Sequence, residues 1–117
     1  MIISESMSSP VVSVSSDMTL QSSSMQMSRM GIHCVLVKKS GKYLGILTQS
    51  DIEQSFDLEA IEAITAEALM NYPIITIDVS NDVEEARKMM QQHKINHLAV
   101  SRENEIVGIF SSKDLLD

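Results

Sequence analysis

One constant shift lays the second half of this chain on the first without a gap. Met7 falls on Met70, Pro10 on Pro73, Met27 on Met90, Ile32 on Ile95, Val37 on Val100, Gly45 on Gly108 and Asp51 on Asp114. Between these anchors the matches are conservative: "VVSV" on "IITI", "VLV" on "LAV", "GILT" on "GIFS". Each copy of such a repeat is one supersecondary unit that needs a neighbour to close its core. Two copies predict a pseudo-twofold pair instead of a solenoid. At 117 residues the chain can bury one real core but not two independent ones. The expected organisation is a single module over 1–117, with repeats at 7–62 and 65–117.

Each repeat reads as strand, helix, strand, strand, helix. A β-branched stretch follows Pro, a tolerated position at a strand start. A helix comes next. In the second copy Asn81 or Asp82 can cap it, Glu84 and Glu85 sit in its first turn, and Val83, Ala86, Met89 and Met90 recur at helical spacing. In the first copy the matching run keeps Leu20, Met27 and Met30 but carries three consecutive serines, which weaken a helix. "HCVLV" and "HLAV" are apolar on both parities, as strands buried on both faces are. Turns at Ser40-Gly41 and near Asn104 make hairpins into "YLGILT" and "EIVGIFS". Thr48 and Ser111 open the last helices, the first of them beginning at Asp51-Ile52 and running through an acidic linker to Ala63. The fold class is α/β (α+β): two βαββα repeats, two small sheets packed face to face by a pseudo-dyad and flanked by helices.

Charge and composition narrow the function. A net charge of −7 opposes the phosphate neutralisation that nucleic-acid binding needs, and no Trp is available for base stacking. Direct contact with nucleic acid is not expected. No apolar run reaches membrane-spanning length, so no membrane contact is expected either. The start, "MIISESMSSP", lacks a basic, apolar leader, and Cys34 stands alone, which fits a reducing cytoplasm.

The stretches "GILTQSDI" and "GIFSSKDL" carry the chemistry. In each, a hydroxyl residue precedes an acid by three positions: Thr48 with Asp51, and Ser111 with Asp114. This is the capping-box pattern, in which the hydroxyl satisfies an orphan amide and the acid reaches back. The same geometry suits a ligand. A helix N-terminus is a seat for phosphate, a cap hydroxyl can share that contact, and a carboxylate can accept both hydroxyls of a ribose. Gly45 and Gly108 would let a ligand approach the strand backbone. The two readings are compatible, and the repetition strengthens the second.

Taken together, the pattern M-x-x-P-h-h-T/S-h, helix, I-x-x-h-x-V, turn, h-h-G-h-h-T/S-x-x-D-h resembles the cystathionine-β-synthase (CBS) domain. A tandem pair of these resembles a Bateman module, over Met7 to Leu116. The resemblance implies binding of AMP, ADP, ATP or S-adenosylmethionine in clefts between the repeats, no required cofactor and no catalysis. It places ribose contacts on Asp51 and Asp114. Phosphate or ribose-hydroxyl contacts fall on Thr48, Ser111, Ser112, Lys113, His33 and His97. The adenine slot falls on Val12, Ser13, Val14, Ile75, Thr76, Ile77, Ile95 and Asn96. Leu36 and Ala99 stand where the family often has Pro, and His33 and His97 stand where phosphate-binding members often carry His or Arg, with no Arg here. The resemblance also implies a homodimer and an effector protein to regulate. The alternative is a ligand-free structural or dimerisation module whose acids serve only as caps.

Other chemistries find little support. His93 and His97 have metal-pair spacing, but the repeat puts His97 past the helix and no third ligand follows. His33 and Cys34, adjacent on a strand, point to opposite faces and cannot form a nucleophile–base dyad. No Ser is tied to a His and an acid.

Overall fold

The computed structural model describes residues 1–9, 11–55 and 60–115. It contains two three-stranded sheets, each the product of one repeat. The first repeat forms β1 (Ser13–Ser15), α1 (Leu20–Met30), β2 (Cys34–Lys39), β3 (Lys42–Thr48) and α2 (Gln49–Ser55). A short helix, α3 (Ala66–Leu69), leads to the second repeat, with β4 (Thr76–Asp78), α4 (Val83–His93), β5 (His97–Arg102) and β6 (Glu105–Ser111). Strand order is β1-β2-β3 and β4-β5-β6. The first pair in each sheet is parallel, with α1 or α4 as the crossover, and the second pair is antiparallel.

Local chemistry explains the elements. Thr19 caps α1 by accepting from the Ser22 amide at 3.1 Å, and Asp82 caps α4 by accepting from the Glu84 amide at 2.8 Å. Gly31 and Lys94, which the repeat superposes, end these helices with φ of 67° and 56°. The serines of α1 do not break it. Ser23 is buried, and its hydroxyl donates to the Thr19 carbonyl at 2.9 Å, so it is not stranded in the core. Both hairpins turn through two residues of positive φ, Ser40-Gly41 and Glu103-Asn104, the backbone that matches the twist of the flanking strands. In both, the register slips by one residue just before the glycine of β3 or β6.

Some boundaries differ from expectation. β1 and β4 are short, begin later than the β-branched stretches suggest, and do not start at proline. The last helix of the first repeat begins at Gln49, and a 3-10 turn covers Ala60–Glu62. The part of the acidic linker at residues 56–59 lies outside the described residues, as do Pro10 and Leu116. The second repeat ends in a single 3-10 turn, Ser112–Leu115.

The chain divides into two compact units, and they do not coincide with the repeats. One is Val12–Ile74; the other joins Met1–Val11 to Ile75–Asp117. In the Val12–Ile74 unit, Val14, Leu20, Met27, Val35, Val37, Leu47, Ile52 and Ala66 form the core, with Leu69 and Met70 against it. In the other, Ile3 is fully buried with Ile77, Ala86, Met90, Leu98, Val100 and Phe110, and Met7 packs alongside. The segment leading into each repeat therefore completes the core of the other repeat. Glycine makes the seat. A Cβ on Gly45 would lie 2.7 Å from both the Asn71 carbonyl oxygen and Met70 Sδ. A Cβ on Gly108 would lie 2.7 Å from Met7 Sδ and 2.9 Å from the Ser8 carbonyl oxygen. The close approach foreseen at these glycines is made by the chain itself.

Because Ile3 is a core residue of the second repeat's unit, Ile3→Ala should destabilise the protein by about 2–5 kcal/mol. Ile2→Ala, at a side chain 45% exposed, should stay within about 0.5 kcal/mol. Urea unfolding of the two variants checks this; equal effects would contradict the exchanged core.

Candidate functional site

The strands bring most of the singled-out residues to one end of each sheet. β2 and β3 are antiparallel, so the start of β2 meets the end of β3, and Cys34 pairs with Thr48. β1 runs parallel to β2, which puts its leading residue at the same end: the Val12 carbonyl accepts from the Leu36 amide at 2.9 Å. The chain then turns directly into α2, and the Gln49 amide donates to the His33 carbonyl at 2.9 Å. The second repeat reproduces this. His97 pairs with Ser111, the Ser112 amide donates to the Asn96 carbonyl at 2.9 Å, and the Ile75 carbonyl accepts from Ala99 at 3.1 Å.

Not all candidates present their side chains alike. Val14 and Ile77 belong to the cores, and Val12, Ile75 and Ile95 are half-buried against them. Ser13 and Thr76 alternate to the opposite face of their strands, as the period of two requires. His33, Asn96 and Lys113 are exposed, while His97 and Ser112 are half-buried. Superposition of the repeats puts His97 on Cys34 and Asn96 on His33, so the two histidines hold different places. His93 ends α4, and among the described residues no cluster of three His, Cys, Asp or Glu could hold a metal.

The two hydroxyl–acid pairs differ. In the first repeat Thr48, nearly buried, accepts from the Asp51 amide at 3.1 Å. The Asp51 carboxylate instead turns to Asn71, whose Nδ2 donates to its Oδ2 at 2.7 Å. In the second repeat the Asp114 carboxylate folds back: Oδ2 accepts from the Ser111 amide at 2.8 Å and lies 3.5 Å from the Ser111 hydroxyl. The first pair shows the forward half of a capping box and the second the reverse half. Asn71 was not singled out from the sequence. The repeat lays Asn71 on Ser8, at a variable position of the motif, so the motif alone gave no signal for it.

Asn71 is held from behind. Its amide donates to the Ile46 carbonyl at 2.8 Å and its carbonyl accepts from the Ile46 amide at 3.0 Å, the bridge that the seat on Gly45 permits. Ser8 makes the same bridge with Ile109. Hydroxyl and carboxylate at the end of a sheet make a polar pair that can accept or exchange hydrogen bonds with a polyhydroxyl ligand.

Cys34 lies beside this pair but is no nucleophile. Burial first, and the charge of Asp51 second, push its thiol up to about 12 from 9.0. The folded state therefore favours the neutral thiol. That contribution to stability is complete below pH about 9 and is lost as pH rises from there toward 12. At pH 8, iodoacetamide should label Cys34 in the folded chain at least about tenfold more slowly than in the urea-unfolded chain. Equal rates would show an accessible thiolate.

Similarity to known proteins accords with this geometry. Inosine-5'-monophosphate dehydrogenase from Staphylococcus saprophyticus is 30% identical over 87 residues, 73% of this chain. The chain spans only 17% of that enzyme's length. A solved structure of an uncharacterized conserved protein from Pyrococcus horikoshii is 28% identical, with a TM-score of 0.87 over 98% of this chain and 89% of that one. The CBS domain pair of protein MJ0100, crystallised with 5'-methylthioadenosine and S-adenosyl-L-methionine, has a TM-score of 0.84 at 22% identity, covering 99% of this chain and 93% of that one. The CBS domain family model matches residues 3–56 and again 66–117. With two matches that together take in nearly all of its length, the chain belongs to the CBS domain family as a tandem pair.

Proposed function

We propose that this pair is a regulatory module that binds an adenosine-containing ligand, such as AMP, ADP, ATP or S-adenosylmethionine, and passes its occupancy to a partner protein. The observation that carries the reading is the carboxylate of Asp51, held at the sheet end beside the Thr48 hydroxyl instead of being spent on its own helix cap. A carboxylate so placed can accept both hydroxyls of a ribose. The MJ0100 pair, a close structural likeness, was crystallised with two adenosyl compounds, which supports the class of ligand.

In this reading Asp51 and Asp114 take the ribose, and Thr48, Ser111, Ser112, Lys113, His33 and His97 serve phosphate or ribose hydroxyls. The half-buried apolar residues at the strand starts, with Ser13, Thr76 and Asn96, face the adenine. No step of catalysis belongs to it. The module works in a reducing cytoplasm, as a homodimer, with α1 offering the exposed Met25 and Met30 to a second copy. Light scattering should then give about twice the 13.0 kDa chain mass, and a monomer at high concentration contradicts the dimer.

A second reading has an observation of its own. Asp114 already caps the Ser111 amide, as a ligand-free scaffold would have it. The two readings separate in a thermal-shift panel of AMP, ADP, ATP and S-adenosylmethionine. A ligand at a hundredfold excess over its Kd should add about 2.7 kcal/mol of stability. Asp51→Ala should abolish that shift while costing the unliganded fold no more than about 2 kcal/mol. No shift with any of the four compounds would leave the scaffold reading.

A further inference from the structure

The adenosyl reading leaves open whether the repeats are equivalent. The structure makes them unequal through one residue. We infer that Asn71 is a positioning residue for Asp51, and that the site at Asp51 is the high-affinity one while the site at Asp114 is self-occupied and weak. The inference rests on the adenosyl reading and deepens it.

Asn71 and Ser8 occupy the same place in the two halves. Each is the residue after the methionine that sits on the glycine of the third strand, and each makes the same backbone bridge to that strand. Their side chains differ in reach. Asn71 extends to Asp51, its Nδ2 at 2.7 Å from Oδ2, and the same Nδ2 lies 3.5 Å from the Ile46 carbonyl oxygen. The carboxylate is thereby tied to a rigid strand through one lone pair, and its other lone pairs point elsewhere; an ionised carboxylate has about four. Two suffice for a diol. The Asp51 amide needs nothing from the carboxylate, because the Thr48 hydroxyl already accepts from it.

Ser8 carries no side-chain amide. The Asp114 carboxylate instead takes the Ser111 amide at 2.8 Å. By the same count each carboxylate keeps lone pairs, so the contrast lies in the donor. A diol that needs both oxygens of Asp114 must share or displace a bond from a half-buried backbone amide. At Asp51 the displaced donor is the exposed side chain of Asn71, which water can satisfy. Bonds to charged groups are strong enough that the difference should read as a ten- to hundredfold weaker site, an order-of-magnitude expectation.

The experiment is isothermal calorimetry on the full chain with AMP, ATP and S-adenosylmethionine, and with 2′-deoxy-AMP and 2′-deoxy-ATP as diol-lacking probes. The variants are Asn71→Ser, the residue its own counterpart carries, Asp51→Asn and Ser8→Asn. Asn71→Ser should weaken the tighter binding event about tenfold and narrow the gap between each nucleotide and its deoxy analogue. A purely structural role would shift both probes equally. Asp51→Asn should abolish the tighter event, and Ser8→Asn should strengthen the weaker one.

If the wild type binds but Asn71→Ser leaves affinity and diol preference unchanged, the inference falls and the adenosyl reading stands. Tighter binding in Asn71→Ser would overturn it too, showing Asn71 to be a competitor of the ligand. Persistence of the tight event in Asp51→Asn would reverse the assignment. No binding of any probe by the wild type overturns both. Urea unfolding of Asn71→Ser separates these results from a loss of fold.

Discussion

Much of this structure depends on one kind of contact, a methionine and the backbone behind it seated on a glycine. At Gly45 and Gly108 the space that a Cβ would fill is taken by a carbonyl oxygen and a thioether. The thioether could bend away; the carbonyl could not, because it belongs to a backbone bridge with the same strand. The seat therefore fixes where each leading segment lies on the strand it crosses. From this follow the exchanged cores, with Ile3 buried among second-repeat residues and Ala66 among first-repeat residues. The position of Asn71 against Asp51 follows as well, so the packing that closes each core also builds the polar end of its sheet.

The sequence was a good guide wherever the determining interaction was local. The cap at Asp82, the turns at Ser40-Gly41 and near Asn104, and doubly buried strands at Val35–Val37 and Leu98–Val100 are all governed by neighbours within a few positions. The serines of α1 misled because their effect depends on context. Exposed, they compete with the helix; with Ser23 returning its hydroxyl to Thr19, they do not. The exchange of leading segments was hidden, since hydropathy tells that Ile3 and Met7 are to be buried but not against which repeat. That information lies in shape, in two glycines whose missing side chains match two methionines across the alignment.

The site was legible in its parts and hidden in its connections. Thr48, Asp51, Ser111 and Asp114 stand where the motif indicates, at sheet ends next to the β2 and β5 starts. A motif gives residue types and spacing, and both halves of a capping box satisfy it equally. Which half forms depends on what else is in reach of the carboxylate, and that is set by a residue twenty positions away in sequence.

Capping and binding are therefore less rival explanations of one motif than two uses of the same oxygen atoms. A carboxylate that accepts from its own backbone stiffens the end of the strand and is unavailable; one relieved of that duty by a hydroxyl can serve another partner. The first repeat assigns the amide to Thr48 and the carboxylate to Asn71, while the second assigns the amide to Asp114. Two copies of one pattern thus leave their carboxylates with different partners, one continuing as an α-helix and the other as a 3-10 turn. An amide side chain in one copy, where the other has a hydroxyl, comes within reach of the acid on the exchanged segment.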